Sequence, residues 1–275
     1  MSAEQPSNGV TNRSVALLID ADNISHANIA TIIAELSKYG TANIRRAYGD
    51  WTSPNMKGWR EKLHEFAIRP IQQFNYSSGK NATDIALVID AMELLYTQKL
   101  DAFCIASSDG DFTPLVMQLR ANGHEVFGFG ARKTPEPFVN ACSTFLYFEG
   151  LQTDKLIEAS SAIVDIQKAP KKAGAVSAAK PSIAPKIKPL SQDTKLVTIL
   201  RGAVEASARE DGWALLSIVG VAAKRQAPID HRNYGVKTFS ALIEAIGLFE
   251  IYRSKSGQVY VADKRNTERA KVPTS

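Results

Sequence analysis

The chain has 275 residues, 44% of them hydrophobic and 22% charged, with a net charge of +5. This composition is that of a globular protein, and the length suits about two domains. No apolar run reaches the roughly 18 residues of a membrane span, and the polar start MSAEQPSNG has no apolar signal core. We therefore expect a cytoplasmic protein that does not enter a membrane. The spacing of the two cysteines and four histidines indicates neither a disulfide framework nor a zinc site.

Strand-like and helix-like segments alternate through the first 150 residues. Apolar β-rich runs predict strands at 14–20, 42–48, 67–74, 102–107, 125–130 and 145–149. Apolar residues at helical spacing predict helices at 28–39, 55–66, 82–97 and 111–123. This alternation is typical of βαβ units, so we expect an α/β fold with a mostly parallel sheet covered on both faces.

The remaining chain predicts a tether and a small second domain. Residues 161–192 are rich in Ala, Lys and Pro, as in a flexible linker. Helices are expected near 194–208, 215–225 and 235–246, followed by a hairpin in which LFEIYR and QVYVAD flank SKSG. Three helices and a two-stranded wing describe a winged helix-turn-helix domain at 193–263. Residues 1–13 and 264–275 are expected to be disordered ends.

Charge separates the two parts of the chain. Acidic residues outnumber basic ones in residues 1–150, whereas basic residues are in excess both in 151–192 and in 193–275. This division predicts acidic chemistry in the first part and attraction to a polyanion in the second.

Acidic residues follow two predicted strands and begin one helix. Asp20 and Asn23 end the first strand, Asp109 and Asp111 end the strand at 102–107, and Asp84 lies just inside the helix at 82–97. The carboxyl ends of parallel strands share one edge of a sheet, so these groups are expected to meet there. Carboxylates brought together need a cation, and Mg²⁺ or Mn²⁺ prefers oxygen ligands. We expect Asp20, Asp84 and Asp109 to bind it.

Such a site favours hydrolytic phosphoryl transfer without a covalent intermediate. Lys80, Ser107 and Ser108 lie beside the acids in sequence and are candidate substrate contacts. Helix capping is the alternative for several of these residues. Asp22 or Asn23 and Asp111 each stand before a predicted helix, and Asn81 with Asp84 resembles a capping box.

Three sequence blocks carry a family resemblance. VALLIDADNI, GKNATDIALVIDA and ASSDGDFTPLVMQLRANGHEVFGFG resemble, in that order, the NYN domain, a branch of the PIN-like nucleases that includes the LabA-like proteins. The resemblance places this domain at 14–160. It implies a Rossmann-like α/β fold and metal-dependent RNA cleavage, with Asp20, Asp84 and Asp109 as the central acids. Asn23 and Asp111 match additional polar positions of the same motifs.

Residues 193–263 resemble the OST-HTH, or LOTUS, domain through DGWALLSIVGVAAKRQ, RNYGVKTFSALIEAIGLFEI and QVYVAD. The resemblance implies RNA binding and contacts with protein partners. Basic residues that flank the predicted second and third helices and the wing are candidate phosphate contacts: Lys224, Arg225, Arg232, Lys237, Arg253 and Lys255. Pairing of two copies and a protein partner for this domain are further expectations.

The function predicted from the sequence is a Mg²⁺- or Mn²⁺-dependent endoribonuclease whose C-terminal module holds the RNA. One alternative is a catalytically silent RNA-binding adaptor, in which the acids act as caps or hold a structural metal. Another is a phosphatase of the haloacid dehalogenase type, because Asp20 and Asp22 match its paired aspartates.

Overall fold

A computed structural model describes residues 13–74, 81–151 and 189–273. The chain forms two compact units, which are described separately. None of the helices in the described ranges combines the length and the apolar character needed to cross a membrane.

The first unit is a six-stranded parallel sheet with helices between the strands. Its strands are β1 (Ser14–Asp20), β2 (Thr41–Gly49), β3 (Arg69–Gln72), β4 (Ala102–Ala106), β5 (Glu125–Gly130) and β6 (Thr144–Tyr147). Its helices are α1 (Ile29–Leu36), α2 (Trp59–Glu65), α3 (Ala82–Thr97), α4 (Thr113–Ala121) and α5 (Glu136–Ala141). The strand order is β3-β2-β1-β4-β5-β6, and every neighbouring pair is parallel. The predicted α/β class is confirmed.

Successive strands are added to the sheet in one direction from β1 and in the opposite direction from β4. From β1 the chain proceeds outward to β2 and β3, and from β4 it proceeds to β5 and β6 on the other side. Both central strands are almost entirely buried, as their continuous apolar runs predict. Diverging connections leave a crevice at the carboxyl ends of such a strand pair. This crevice is where the acidic residues of the two strand ends lie.

Helix α3 is fixed to the sheet by a polar clamp as well as by apolar packing. The Asp90 carboxylate accepts hydrogen bonds from the Tyr48 hydroxyl and from the Arg46 guanidinium, both on β2. Tyr48 is fully buried and lies beside Asp20 in the β1–β2 register. Burial, and then its bond to Asp90, raise the pKa of the Tyr48 phenol, so it stays a donor. The clamp therefore fixes the helix that carries Asp84 against the strand next to Asp20.

The structure differs from the sequence-based prediction at short elements. The helix expected at 55–66 is a 3-10 turn (Pro54–Met56) followed by α2, and the strand expected at 67–74 is four residues long. Helix α5 was not predicted. It has six residues and buries only Phe138, too little for a periodic apolar pattern.

The second unit contains three helices and a small antiparallel sheet. Its elements are α6 (Thr194–Ser207), β7 (Ala214–Leu215), α7 (Leu216–Gln226), α8 (Phe239–Ile246), β8 (Phe249–Arg253) and β9 (Val259–Asp263). The strand order is β7-β9-β8, so a two-residue strand joins the predicted hairpin. Helix α8 begins at the Thr238 cap, whose hydroxyl accepts from Ala241 N–H, and ends at Gly247, with φ 73°. The predicted helical domain with a small sheet is confirmed.

The segment after β9 packs on this unit, although the sequence suggested a disordered tail from residue 264. The indole Nε1 of Trp213 donates to the Ala270 carbonyl at 2.9 Å, and Ala270 N–H donates to the Asp211 carbonyl at 2.9 Å. Arg269 pairs with Glu250 and lies over the Trp213 ring. Trp213 is 1% exposed. A buried indole needs an acceptor for its N–H, and the tail supplies one.

Candidate active site

Asp20 is the last residue of β1, one of the two strands that border the crevice. It is fully buried. Its Oδ2 accepts from Ser107 Oγ and from Asn23 Nδ2, each at 2.7 Å, and its Oδ1 accepts from Asn23 N–H at 3.3 Å. Burial raises the pKa of Asp20, while the hydrogen bonds from Ser107 and Asn23 oppose that rise. These bonds fix the orientation of the carboxyl group.

Ser107 connects Asp20 to the loop that follows β4. Its hydroxyl donates to Asp20 and accepts from Asp109 N–H at 3.0 Å. Asp109 Oδ1 in turn accepts from Asp111 N–H at 2.9 Å. One chain of hydrogen bonds therefore runs from the end of β1 through the loop that carries Asp109 and Asp111.

Asp84 enters the site from the first turn of α3. Burial, followed by the charges of Asp20, Asp109, Asp22 and Asp111, raises the pKa of Asp84 to about 6. Asp84 and Asp111 line a cleft of about 210 Å³ together with Asn81, whose Nδ2 lies 3.4 Å from Asp111 Oδ2. The acids from β1, β4 and α3 are thus near enough for their charges to act on one another.

Helix capping accounts for one of these acids. Asp109 is the N-cap of the 3-10 turn Gly110–Phe112, because its side chain accepts from Asp111 N–H. The other capping hypotheses are not supported. Ser25, not Asp22 or Asn23, caps the 3-10 turn at His26–Asn28. Asn81 precedes α3 but makes no capping bond to it. The residue at the N-cap position of α4 is Phe112 and not Asp111, so Asp111 does not cap that helix.

The donor set is suited to a hard divalent cation. Every candidate ligand is a carboxylate oxygen, and the pKa of Asp84 is raised by burial and then by the negative charges beside it, which a cation would offset. Across residues 13–74, 81–151 and 189–273, no three histidine, cysteine or acidic side chains converge as a ready-made metal cage. Magnesium is usually held by one or two carboxylates, with water and substrate phosphate completing its shell. The residues present fit this kind of binding.

The predicted substrate contacts beside the acids have different surroundings. Lys80 lies outside the described residues. Ser107 is fully buried and bonded to Asp20, so its hydroxyl orients an acid instead of facing the crevice. The Ser108 hydroxyl accepts from Ala131 N–H at 2.9 Å and so joins the loops after β4 and β5.

The basic residues of the second unit divide by exposure. Lys224 and Arg225 at the end of α7, Lys237 before α8 and Lys255 in the wing turn are exposed. Arg253 is exposed but pairs with Glu244 at 2.7 Å. Arg232 is only 9% exposed, and this burial speaks against the phosphate contact expected of it.

The sequence did not identify Asp90 and Tyr48 as residues that orient the acids, and it indicated Ser107 as a substrate contact. Asp90 and Tyr48 form the clamp beneath α3, and Ser107 is the link between Asp20 and Asp109. A Tyr at the end of a strand beside the first acid and an Asp six residues after Asp84 are the available signals. Neither reveals the pairing, because the contact depends on how the helix lies on the sheet.

Comparisons with known proteins agree with this architecture. The profile of the NYN domain matches residues 14–156, and that of the OST-HTH/LOTUS domain matches residues 188–261. An uncharacterized protein of Methanocaldococcus jannaschii is 27% identical over 121 residues, which are 42% of this chain and 47% of that protein. The chain therefore spans about half the length of this relative.

Two solved structures are also similar to the chain. A protein of unknown function from Vibrio parahaemolyticus is 17% identical with a TM-score of 0.43, covering 51% of this chain and 95% of its own. A scyllo-inositol dehydrogenase from Lactobacillus casei is 14% identical with a TM-score of 0.28, covering 56% of this chain and 41% of its own.

Proposed function

Because the chain belongs to the NYN domain family, whose members are nucleases, and carries an RNA-binding OST-HTH/LOTUS domain, we propose that it is a metal-dependent endoribonuclease. The observation that supports this most is the group of acids at the β1–β4 crevice. Burial raises the pKa of Asp84, and the charges of four neighbouring carboxylates add to that rise, which supports a place where a cation is favourable. The family match also favours a nuclease over the phosphatase.

In this proposal Asp20, Asp84 and Asp109 hold Mg²⁺ or Mn²⁺. A bound divalent cation lowers the pKa of a bound water and neutralises charge on the phosphodiester during hydrolysis. Ser107 and Asn23 keep the Asp20 carboxylate in one orientation through the bonds described above. The Tyr48–Asp90 bond keeps α3, and with it Asp84, at the edge of the crevice. Asp111 and Asn81 line the cleft, and in this proposal they orient a water or a substrate hydroxyl.

The C-terminal domain supplies affinity in the proposal. Lys224, Arg225, Lys237 and Lys255 are exposed cations, and such residues bind phosphates in a salt-dependent manner. Arg253 can add to this contact only if it leaves Glu244. Pairing of two copies and a protein partner for this domain stay predictions.

The test is cleavage of single-stranded and structured RNAs with Mn²⁺, Mg²⁺ or EDTA. Asp20→Asn and Asp109→Asn are compared with the wild type, and Asp101→Asn, at the opposite end of β4, is the matched control. The proposal requires metal-dependent cleavage by wild type and control only. Cleavage that persists in EDTA or in both site variants would contradict it. A phosphorylated Asp20 recovered from the reaction would instead establish the phosphatase.

A catalytically silent RNA-binding adaptor is the second candidate. One observation favours it: Asp20 is fully buried and its carboxylate is hydrogen-bonded. The same assay discriminates between the two functions. An adaptor binds RNA equally well as wild type and as Asp109→Asn, and neither form cuts it with any metal.

A further inference from the structure

The loop between β5 and α5 is bonded to the acidic loop after β4. Ala131 N–H donates to Ser108 Oγ at 2.9 Å. A Cβ on Gly130 would lie 2.7 Å from the Ser107 carbonyl oxygen, and one on Gly110 would lie 3.1 Å from Pro135. The two loops are therefore in direct contact, and only glycine fits at the end of β5.

Hydrogen bonds within the loop hold its backbone conformation. Thr134 donates to the Ala131 carbonyl through its N–H at 3.0 Å and its hydroxyl at 2.6 Å. Arg132 N–H is bonded to the Glu149 carboxylate, and the Arg132 guanidinium lies over the Tyr147 ring. These contacts leave Lys133 exposed at the tip of a fixed turn.

The charges of this edge of the sheet are arranged unevenly. The segments after β1 (21–28) and after β4 (107–112) contain acids but neither lysine nor arginine. Phosphates that approach the acid cluster are repelled there, apart from one that a bound cation would hold. An RNA strand therefore needs cations beside the cluster to hold its other phosphates. Adjacent strands are ~4.8 Å apart, so the end of β5 lies on the order of 10 Å from the end of β1, within reach of a bound strand.

We propose that the β5–α5 loop is a phosphate-binding element for RNA, with Lys133 as the residue that contacts a backbone phosphate beside the scissile one. This inference rests on the proposed nuclease function, because that function determines how RNA crosses the carboxyl edge of the sheet. The Ser108 hydroxyl holds the loop in position. Lys133 acts as a point charge and carries no sequence specificity.

The test is site-resolved lysine footprinting of the full chain in EDTA. Acetylation by an N-hydroxysuccinimide ester is quantified by mass spectrometry with and without a saturating single-stranded RNA. The matched control is Lys99, an exposed lysine at the opposite edge of the sheet, just before β4. We expect acetylation of Lys133 to slow several-fold with RNA while that of Lys99 is unchanged. Equal reactivity of the two lysines with and without RNA would overturn the proposal.

A second measurement compares Lys133→Gln with Lys99→Gln in the cleavage reaction. Removing one phosphate-binding cation should raise KM several-fold, leave kcat nearly unchanged and reduce the log–log salt slope by ~0.7. A Lys133→Gln enzyme identical to Lys99→Gln would also refute the loop assignment. If the wild type cuts no RNA with any metal, the nuclease proposal fails, and the footprint in EDTA still decides the role of the loop.

Discussion

Replacing Asp84 by Asn should stabilise the metal-free protein, with a gain that depends on pH. The pKa of Asp84 rises from its ordinary 3.8 to about 6 in the folded chain. Between these values the folded state binds the proton that the unfolded state has lost, so stability falls as pH increases. At ~1.4 kcal/mol per pKa unit, the upper limit on the stability that the variant gains is ~3 kcal/mol. Solvent screening of the partly exposed carboxyl group reduces this to on the order of 1 kcal/mol.

The assay is urea unfolding in EDTA at pH 4 and pH 8, followed by hydrogen exchange of the β1 peptide, which reports on the first unit alone. Asp84→Asn should gain about 1 kcal/mol over wild type at pH 8 and almost nothing at pH 4. Glu61→Gln, an exposed carboxylate of α2, is the matched control and should show no such difference. Added Mn²⁺ should stabilise wild type more than Asp84→Asn. A variant that is less stable than wild type at pH 8 in EDTA would refute the conclusion that the folded chain disfavours the ionised Asp84.

Three further predictions concern other residues. Ser107→Ala removes the bond that orients Asp20 and should lower Mn²⁺ affinity ~10–100-fold, measured by calorimetry; an unchanged affinity would contradict the role of Ser107. Tyr48→Phe breaks the bond to α3 and should cost about 2 kcal/mol of unfolding free energy in the same urea assay, whereas a neutral effect would refute the clamp. Replacing Lys224 and Arg225 by Gln should reduce the log–log salt slope of RNA binding by ~0.7 for each phosphate that is no longer neutralised, and an unaltered slope would exclude both residues.

Much of the fold could be predicted because long elements carry a strong pattern. The buried runs of β1 and β4 are continuous apolar segments, and α3 has the predicted bounds, 82–97. Three short elements, β3, α5 and β7, were missed or predicted with other bounds. The strand Ala214–Leu215 pairs with β9, and the tail is held by the bond from Trp213 to Ala270 and by the Arg269–Glu250 pair. Both depend on contacts between residues far apart in sequence.

The candidate site was predictable in composition but not in geometry. Parallel strands bring their carboxyl ends to one edge, which is why Asp20 and Asp109 are near each other. The sequence does not reveal that Ser107 bridges them or that Asp109 caps a 3-10 turn. Side-chain direction at a strand end and the packing angle of α3 decide these contacts. The raised pKa of Asp84 likewise could not be predicted without its burial and the distances between the carboxylates.

In the proposed function, carboxylates from β1, α3 and β4 share one divalent cation. Anomalous diffraction from crystals soaked in Mn²⁺ locates such an ion directly. We expect a peak in the β1–β4 crevice that touches oxygens of at least two of Asp20, Asp84 and Asp109. A protein that cuts RNA with Mn²⁺ but shows its anomalous peak elsewhere, or touching none of these side chains, would contradict it.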